Sequence, residues 1–69
     1  MKIFFSERLQ QLRKEKGMSQ LELANVIKTT QRRISYMEVG KVEPDLATLV
    51  ALAKFFEVST DYLIGIEDY

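Results

Sequence analysis

Apolar residues recur along this 69-residue chain with the spacing of helices, and no stretch alternates regularly enough for a strand. Four apolar stripes with helical spacing are Phe5, Leu9 and Leu12; Leu23, Ala24 and Ile27; Ile34 and Met37; and Leu49, Leu52, Ala53 and Phe56. A fifth, shorter helix is expected at Thr60 to Ile64. The pattern predicts an all-α protein with five helices.

The start of the second helix carries the strongest local signal. Ser19 and Glu22 have the spacing of a capping box, in which each side chain accepts the backbone N–H of the other residue. Met18 and Leu23 stand at the positions of a hydrophobic staple around this cap. Gly17, just before it, is the residue best able to end the first helix.

The later helix boundaries are signalled in the same way. The predicted N-caps are Thr30 or Thr29 for the third helix, Asp45 for the fourth and Ser59 for the fifth, and the predicted ends are Gly40 and Gly65. The third helix is expected to run from Gln31 to about Glu38. Since the chain has no flexible linker and no repeat, residues 1–69 are predicted to form a single domain.

Histidine and cysteine are both absent from the sequence. Their absence excludes Ser-His catalysis, disulfides and zinc sites that use thiolates. We therefore expect neither an enzyme nor a bound metal or cofactor. No apolar run approaches the ~20 residues of a membrane span, and the N-terminal apolar segment is too short for a signal peptide. The chain is expected to be soluble and cytoplasmic.

The ten Lys and Arg residues balance the ten Asp and Glu residues, but the two signs are segregated. Residues 1–41 hold nine cations and four anions, a net charge of +5. Residues 42–69 hold one cation and six anions, a net charge of −5. A basic half is a reason to look for a polyanion-binding surface, although solvated charge runs are an equally common explanation.

Two short helices joined by a tight turn within the basic half have the sequence form of a helix-turn-helix. In that motif the second helix lies in the major groove of DNA. When Ile34 faces the core, the outward face of the third helix carries no carboxylate. Its residues are Gln31, Arg32, Arg33, Ser35 and Tyr36. These side chains suit base edges and phosphates; an ordinary solvated helix face is the alternative.

Four sequence segments, in a fixed order along the chain, match the pattern of a known protein family. They are Leu12-Arg13-Lys14-Glu15-Lys16-Gly17-Met18-Ser19-Gln20, Ser19-Gln20-x-x-Leu23-Ala24-x-x-Ile27-x-x-Thr30-x-x-x-Ile34-Ser35-x-Met37-Glu38-x-Gly40-Lys41, Pro44-Asp45-Leu46-x-Thr48-Leu49 and Val58-Ser59-x-Asp61-Tyr62-Leu63-Ile64-Gly65. From about Ser6 to Gly65 the chain resembles the Cro/C1 (Xre) family of helix-turn-helix proteins, which includes lambdoid phage repressors. The resemblance implies a five-helix repressor-like DNA-binding domain, with helices two and three as the motif.

The resemblance also implies roles for individual residues. The family's base-facing positions correspond to Gln31, Arg32 and Tyr36, and Ser35 matches a less consistently used contact. The family's phosphate contacts correspond to Gln20, which also braces the recognition helix, and to Lys41, and Arg33 is assigned to phosphate as well. Arg13 and Glu38 match a structural ion pair that fastens the first helix to the third. A phosphate contact is the alternative for Arg13.

Two positions depart from the family pattern. The turn usually carries Gly where this chain has Lys28, and the left-handed backbone expected there is costly for other residues. The family often has Asn at the position of Val39, whose side chain cannot contact phosphate. These departures favour Arg33, Lys41 and Lys28 as the residues that contact phosphate.

The predicted function is that of a sequence-specific, double-stranded DNA-binding transcriptional regulator, and the resemblance favours a repressor. Family members bind palindromic operators as dimers, which implies a homodimer. No small-molecule ligand is implied. The alternative is a protein-interaction module on the same fold, such as an antitoxin or an adaptor whose acidic half docks a basic partner.

Apolar residues outside the core stripes are candidates for the dimer surface. Phe55 lies off the stripe of the fourth helix, and the C-terminal segment adds Tyr62, Ile64, Ile66 and Tyr69. Alternatively, these residues cover the small core of a monomer.

Overall fold

The computed structural model describes residues 3–66, which form five helices and no strand. The helices are α1 (Phe5–Glu15), α2 (Gln20–Ile27), α3 (Gln31–Glu38), α4 (Leu46–Phe56) and α5 (Thr60–Ile64). The prediction of an all-α, five-helix fold is confirmed. None of these five helices is both long and apolar enough to cross a bilayer.

The capping box predicted at the start of α2 is present. The Ser19 hydroxyl accepts the N–H of Glu22 at 3.0 Å, and the Glu22 carboxylate accepts the N–H of Ser19 at 2.8 Å. At the start of α3 the N-cap is Thr30 rather than Thr29, and its hydroxyl accepts the N–H of Arg33 at 3.1 Å. These bonds satisfy backbone donors that a helix start leaves unpaired, so both helices of the motif begin at defined residues.

Asp45 and Ser59 cap α4 and α5 as predicted. The Asp45 carboxylate accepts the N–H of Thr48 at 3.0 Å, and the Ser59 hydroxyl accepts the N–H of Tyr62 at 2.9 Å. In contrast, α1 has no side-chain cap. Its last helical residue is Glu15, and Gly17 follows with a φ of +68°, so the glycine predicted to end α1 does so in a left-handed conformation.

The N-terminal segment is joined to the end of α5. The N–H of Phe4 donates to the carbonyl of Ile64 at 2.8 Å. Gly65 follows with a φ of +90°, and a Cβ atom there would lie 2.6 Å from Cβ of Phe4. Both the backbone conformation and the close approach therefore require glycine at this position.

All five helices contribute to one core. Its fully buried side chains are Leu9, Leu23, Ile34, Met37, Leu52 and Leu63. Leu49 and Ile27 belong to the predicted stripes but are only partly buried, because they pack at the edge of this core. Since Ile34 and Met37 anchor α3 from one side, the opposite side of α3 faces solvent.

Candidate nucleic-acid interface

The turn between α2 and α3 consists of residues 28–30 and sets the angle between the two helices. Lys28 adopts the left-handed conformation, with φ 61° and ψ 50°, where the family usually has glycine. The chain therefore keeps the expected turn geometry at the cost of strain in a residue with a Cβ. The N–H of Thr29 donates to the carbonyl of Ala24 at 2.8 Å and closes the end of α2.

The predicted base-facing residues share the outward side of α3. Gln31 and Arg32 are exposed, and Ser35 and Tyr36 are half-buried. Nε of Arg32 donates to the hydroxyl of Tyr36 at 3.2 Å, one helical turn away. Nζ of Lys41 lies 5.2 Å from the centre of the same ring. Tyr36 therefore lies close to two cations and accepts a hydrogen bond from one of them.

The residues predicted to contact phosphate divide into two groups. Lys28 and Lys41 are exposed. Gln20 is half-buried, and its side-chain amide donates to Glu38 at 3.1 Å. Arg33 lies 3.6 Å from Asp45. Gln20 and Arg33 thus have protein partners in this structure. A phosphate that binds either residue would have to displace its partner or share the side chain with it.

Arg13 and Glu38 form a buried, two-pronged ion pair between α1 and α3. Nε of Arg13 donates to Oε2 of Glu38 at 2.6 Å, and Nη2 donates to Oε1 at 3.0 Å. Nη1 donates to the carbonyl of Met18 at 2.7 Å. The hydrogen bond with Glu38 raises the pKa of the Arg13 guanidinium above its ordinary value. Because its side chain is 10% exposed and three of its five N–H donors are bonded to Glu38 and Met18, Arg13 is poorly placed to contact phosphate.

A cleft of about 350 Å³ opens beside the outward face of α3. It is lined by Thr30, Arg32, Arg33, Tyr36 and Val42. Two of its five lining residues are arginines, whose guanidinium groups can donate hydrogen bonds to an anionic ligand. Across residues 3–66, the structure groups no three acidic side chains closely enough to hold a metal ion.

The candidates for the dimer surface differ in exposure. Phe55 is half-buried and packs edge-to-face on Phe56, with ring centres 5.0 Å apart. Ile64 is also half-buried, whereas Ile66 is 41% exposed. Tyr62 is half-buried and packs under the guanidinium of Arg8. The last candidate, Tyr69, lies outside the described residues.

Three features of the surface were not predicted from the sequence. Leu46 is 81% exposed and Val50 is 43% exposed, one turn apart on α4. Their positions outside the apolar stripe of α4 were a usable signal. The ion pair between Arg33 and Asp45 was also missed, because the loop between α3 and α4 decides whether these residues meet.

A helix-turn-helix family model matches residues 9–63 of the chain. The chain is 43% identical over 60 residues to the SPbeta prophage-derived uncharacterized HTH-type transcriptional regulator YonR of Bacillus subtilis, covering 87% of this chain and 56% of YonR. It is 39% identical over 64 residues to the HTH-type transcriptional activator BcrR of Enterococcus faecalis, covering 93% of this chain and 31% of BcrR. The chain thus spans about half, or less, of the length of these relatives.

The fold is also similar to that of solved structures. The P22 c2 repressor, solved in complex with synthetic operator 9T, matches with a TM-score of 0.87 and 30% identity, covering 93% of this chain and 97% of that chain. These similar proteins are named as transcriptional regulators or as a repressor. Because the family model covers most of the sequence, the chain belongs to the helix-turn-helix family, of the Cro/C1 type.

Proposed function

We propose that this protein is a sequence-specific transcriptional regulator that places α3 in the major groove of double-stranded DNA. The observation that carries the proposal is the outward face of α3, which presents Gln31, Arg32 and Tyr36 to solvent while the one carboxylate of α3, that of Glu38, is buried. The similarity to a repressor that was solved on an operator supports this orientation.

The side chains on this face match the hydrogen-bonding groups of the major groove. Arg32 can donate two hydrogen bonds to O6 and N7 of guanine, and Gln31 can bridge N6 and N7 of adenine. The hydroxyl groups of Tyr36 and Ser35 can donate to or accept from neighbouring base edges. These four residues are proposed to read sequence.

Phosphate contacts would fix the position of the protein on the duplex without reading sequence. We assign them to Gln20, Arg33, Lys41 and Lys28. Lys28 precedes α3 and Lys41 follows it, so cations near both ends of the recognition helix are available to the backbone of the groove. Arg13 is not among them, because Glu38 holds its guanidinium.

A single α3 spans only a few base pairs, which gives little specificity. We therefore propose a homodimer on a palindromic operator with half-sites about one helical turn apart. Phe55, Ile64 and Ile66 remain the candidate dimer residues. A regulator of this kind would act in the cytoplasm, and we propose repression, since occupying an operator can block transcription without further contacts.

The test is selection of bound duplexes from a randomised pool. A single enriched motif with two symmetric half-sites is expected, and binding to it should weaken steeply with salt as counterions are released. Selection of no motif, together with salt-insensitive binding, would refute the proposal. A stoichiometric protein partner combined with sequence-independent DNA binding would favour the interaction-module alternative.

A further inference from the structure

Asp45 joins the basic surface of α3 to the acidic half of the chain. Its Oδ1 lies 3.6 Å from Nη2 of Arg33, and the two side chains are 62% and 40% exposed. The same oxygen accepts the N–H of Thr48 at 3.0 Å as the N-cap of α4. One carboxylate therefore caps α4 and also neutralises a cation beside the recognition face.

The cap holds Asp45 in place. Hydrogen bonds from Thr48 keep the pKa of Asp45 below its ordinary value and so favour the charged carboxylate. A phosphate that approaches Arg33 must displace this carboxylate or share the guanidinium with it. Since Asp45 stays at the cap, two negative charges then lie close together.

We propose that Asp45 competes with DNA phosphate for Arg33 and thereby limits the affinity of the protein for DNA. This inference rests on the proposed function and on Arg33 as a phosphate contact. It extends that function, because it assigns to an acidic residue outside the motif a role in setting binding strength.

The expected size of the effect is modest. An exposed ion pair contributes little, and a neighbouring unit charge is partly screened at physiological salt. Removing the charge of Asp45 should tighten DNA binding about two- to fivefold. The gain should be equal for an operator and for an unrelated duplex, because phosphate contacts carry no sequence information.

Asp45→Asn removes the negative charge but keeps the helix cap, because Asn caps helices about as well as Asp. The measurement is the dissociation constant for the selected operator, and for a scrambled duplex, at several salt concentrations. With Asp45→Asn, the slope of log K against log salt should steepen by up to about one. Glu43→Gln is the matched control, since Glu43 lies two residues away and makes no ion pair with the described residues.

The outcomes separate this inference from the proposed function. If the wild-type protein selects no operator, the proposed function fails and the inference fails with it. If the wild-type protein binds and Asp45→Asn gains no more affinity than Glu43→Gln, only the inference is overturned.

Arg33→Ala provides a second check. In that background Asp45→Asn should lose most of its effect, and a persistent gain would show that Asp45 acts without Arg33. Asp45→Ser is a second neutral cap with a different shape, and thermal unfolding of each variant confirms that α4 remains folded.

Discussion

Arg13 of α1 and Glu38 of α3 meet across 25 positions of the chain, with Nε 2.6 Å from Oε2 and the Glu38 side chain 1% exposed. Arg13 also donates to the carbonyl of Met18, and Gln20 of α2 donates to Glu38. One buried carboxylate thus connects α1, α2 and α3. This arrangement positions α3 relative to the other two helices, and with it the surface that we propose for DNA.

Arg13→Ala should destabilise the protein strongly. The substitution leaves the Glu38 carboxylate buried without its cation, which typically costs about 3–5 kcal/mol. Lys14→Ala, on the exposed neighbouring residue, should change the free energy of unfolding by less than about 0.5 kcal/mol. Urea unfolding of both variants measures the difference. Similar losses in the two variants would contradict a structural role for the ion pair.

Lys28→Gly should stabilise the fold and weaken DNA binding. Glycine removes a left-handed strain of about 1–2 kcal/mol but costs about 0.5–1 kcal/mol in chain entropy, so we expect a net gain of up to ~1.5 kcal/mol. Loss of the cation should lower the salt dependence of DNA binding by about one unit of slope. Glu57→Gly is the control, because Glu57 has a φ of 57° but is no proposed DNA contact. If Lys28→Gly is less stable than the wild type, the left-handed conformation of Lys28 is not strained.

Arg32→Ala and Lys41→Ala should differ in specificity. Arg32→Ala is expected to cost about 1–3 kcal/mol on the operator and to relax the preference at one base pair. Lys41→Ala should weaken binding to all sequences about equally. Tyr36→Phe keeps the ring but removes the hydroxyl that accepts from Arg32, so it should partly reproduce the relaxed preference. Binding to a panel of single-base operator variants measures all three effects.

Because of the capping box, the free energy of unfolding should decrease as the pH becomes acidic. Hydrogen bonds from the backbone and then the side chain of Ser19 hold the pKa of Glu22 below its ordinary value. A lowered folded-state pKa stabilises the protein above the ordinary value, near 4.5, and this stabilisation is lost as pH falls through the folded-state pKa.

Glu22→Gln retains an accepting oxygen at the cap and no longer titrates. Urea unfolding between about pH 6 and pH 3 should therefore show a weaker decline in stability for Glu22→Gln than for the wild type. Part of the decline should remain, because the pKa of Asp45 is lowered in the same direction by Thr48. Identical pH profiles would mean that the Glu22 carboxylate does not contribute.

Ile66→Asp should abolish the proposed dimer while leaving the monomer folded. Ile66 is 41% exposed, so a charge there does not enter the core as it would at the half-buried Phe55. Sedimentation should show a dimer for the wild type and a monomer for the variant, with a similar Tm. Leu46→Asp tests the more exposed apolar site on α4. If only Leu46→Asp dissociates the dimer, the interface lies at the N-terminal end of α4, around Leu46, rather than at Ile66.

Helix boundaries were predictable because they depend on neighbouring residues. The Ser19–Glu22 box, the Asp45 cap and the Ser59 cap each join residues within three positions, so their spacing in the sequence is enough to identify them. The uncapped start of α1 was harder to place. It is held by Phe4 against the carbonyl of Ile64, a contact between opposite ends of the chain.

The candidate site was predictable only in part. The 100° rotation per residue places Gln31, Arg32 and Tyr36 on one side of α3 once the inward residues are known. It does not show that Arg32 and Tyr36 are joined by a hydrogen bond, or that Arg33 pairs with Asp45. Those contacts depend on rotamers and on the path of the α3–α4 loop.

The sequence by itself determined the five helices, the caps of α2, α4 and α5 and the basic outward face of α3, because periodicity and capping act over one or two helical turns. The backbone conformation of Lys28 could not be determined from the sequence. The sequence identified a residue unsuited to a left-handed turn, and only packing of α2 against α3 decided that it adopts one. The tertiary structure likewise decided that Arg13 is buried against Glu38 and that Asp45 lies beside Arg33, because those pairs form only when separate elements are brought together.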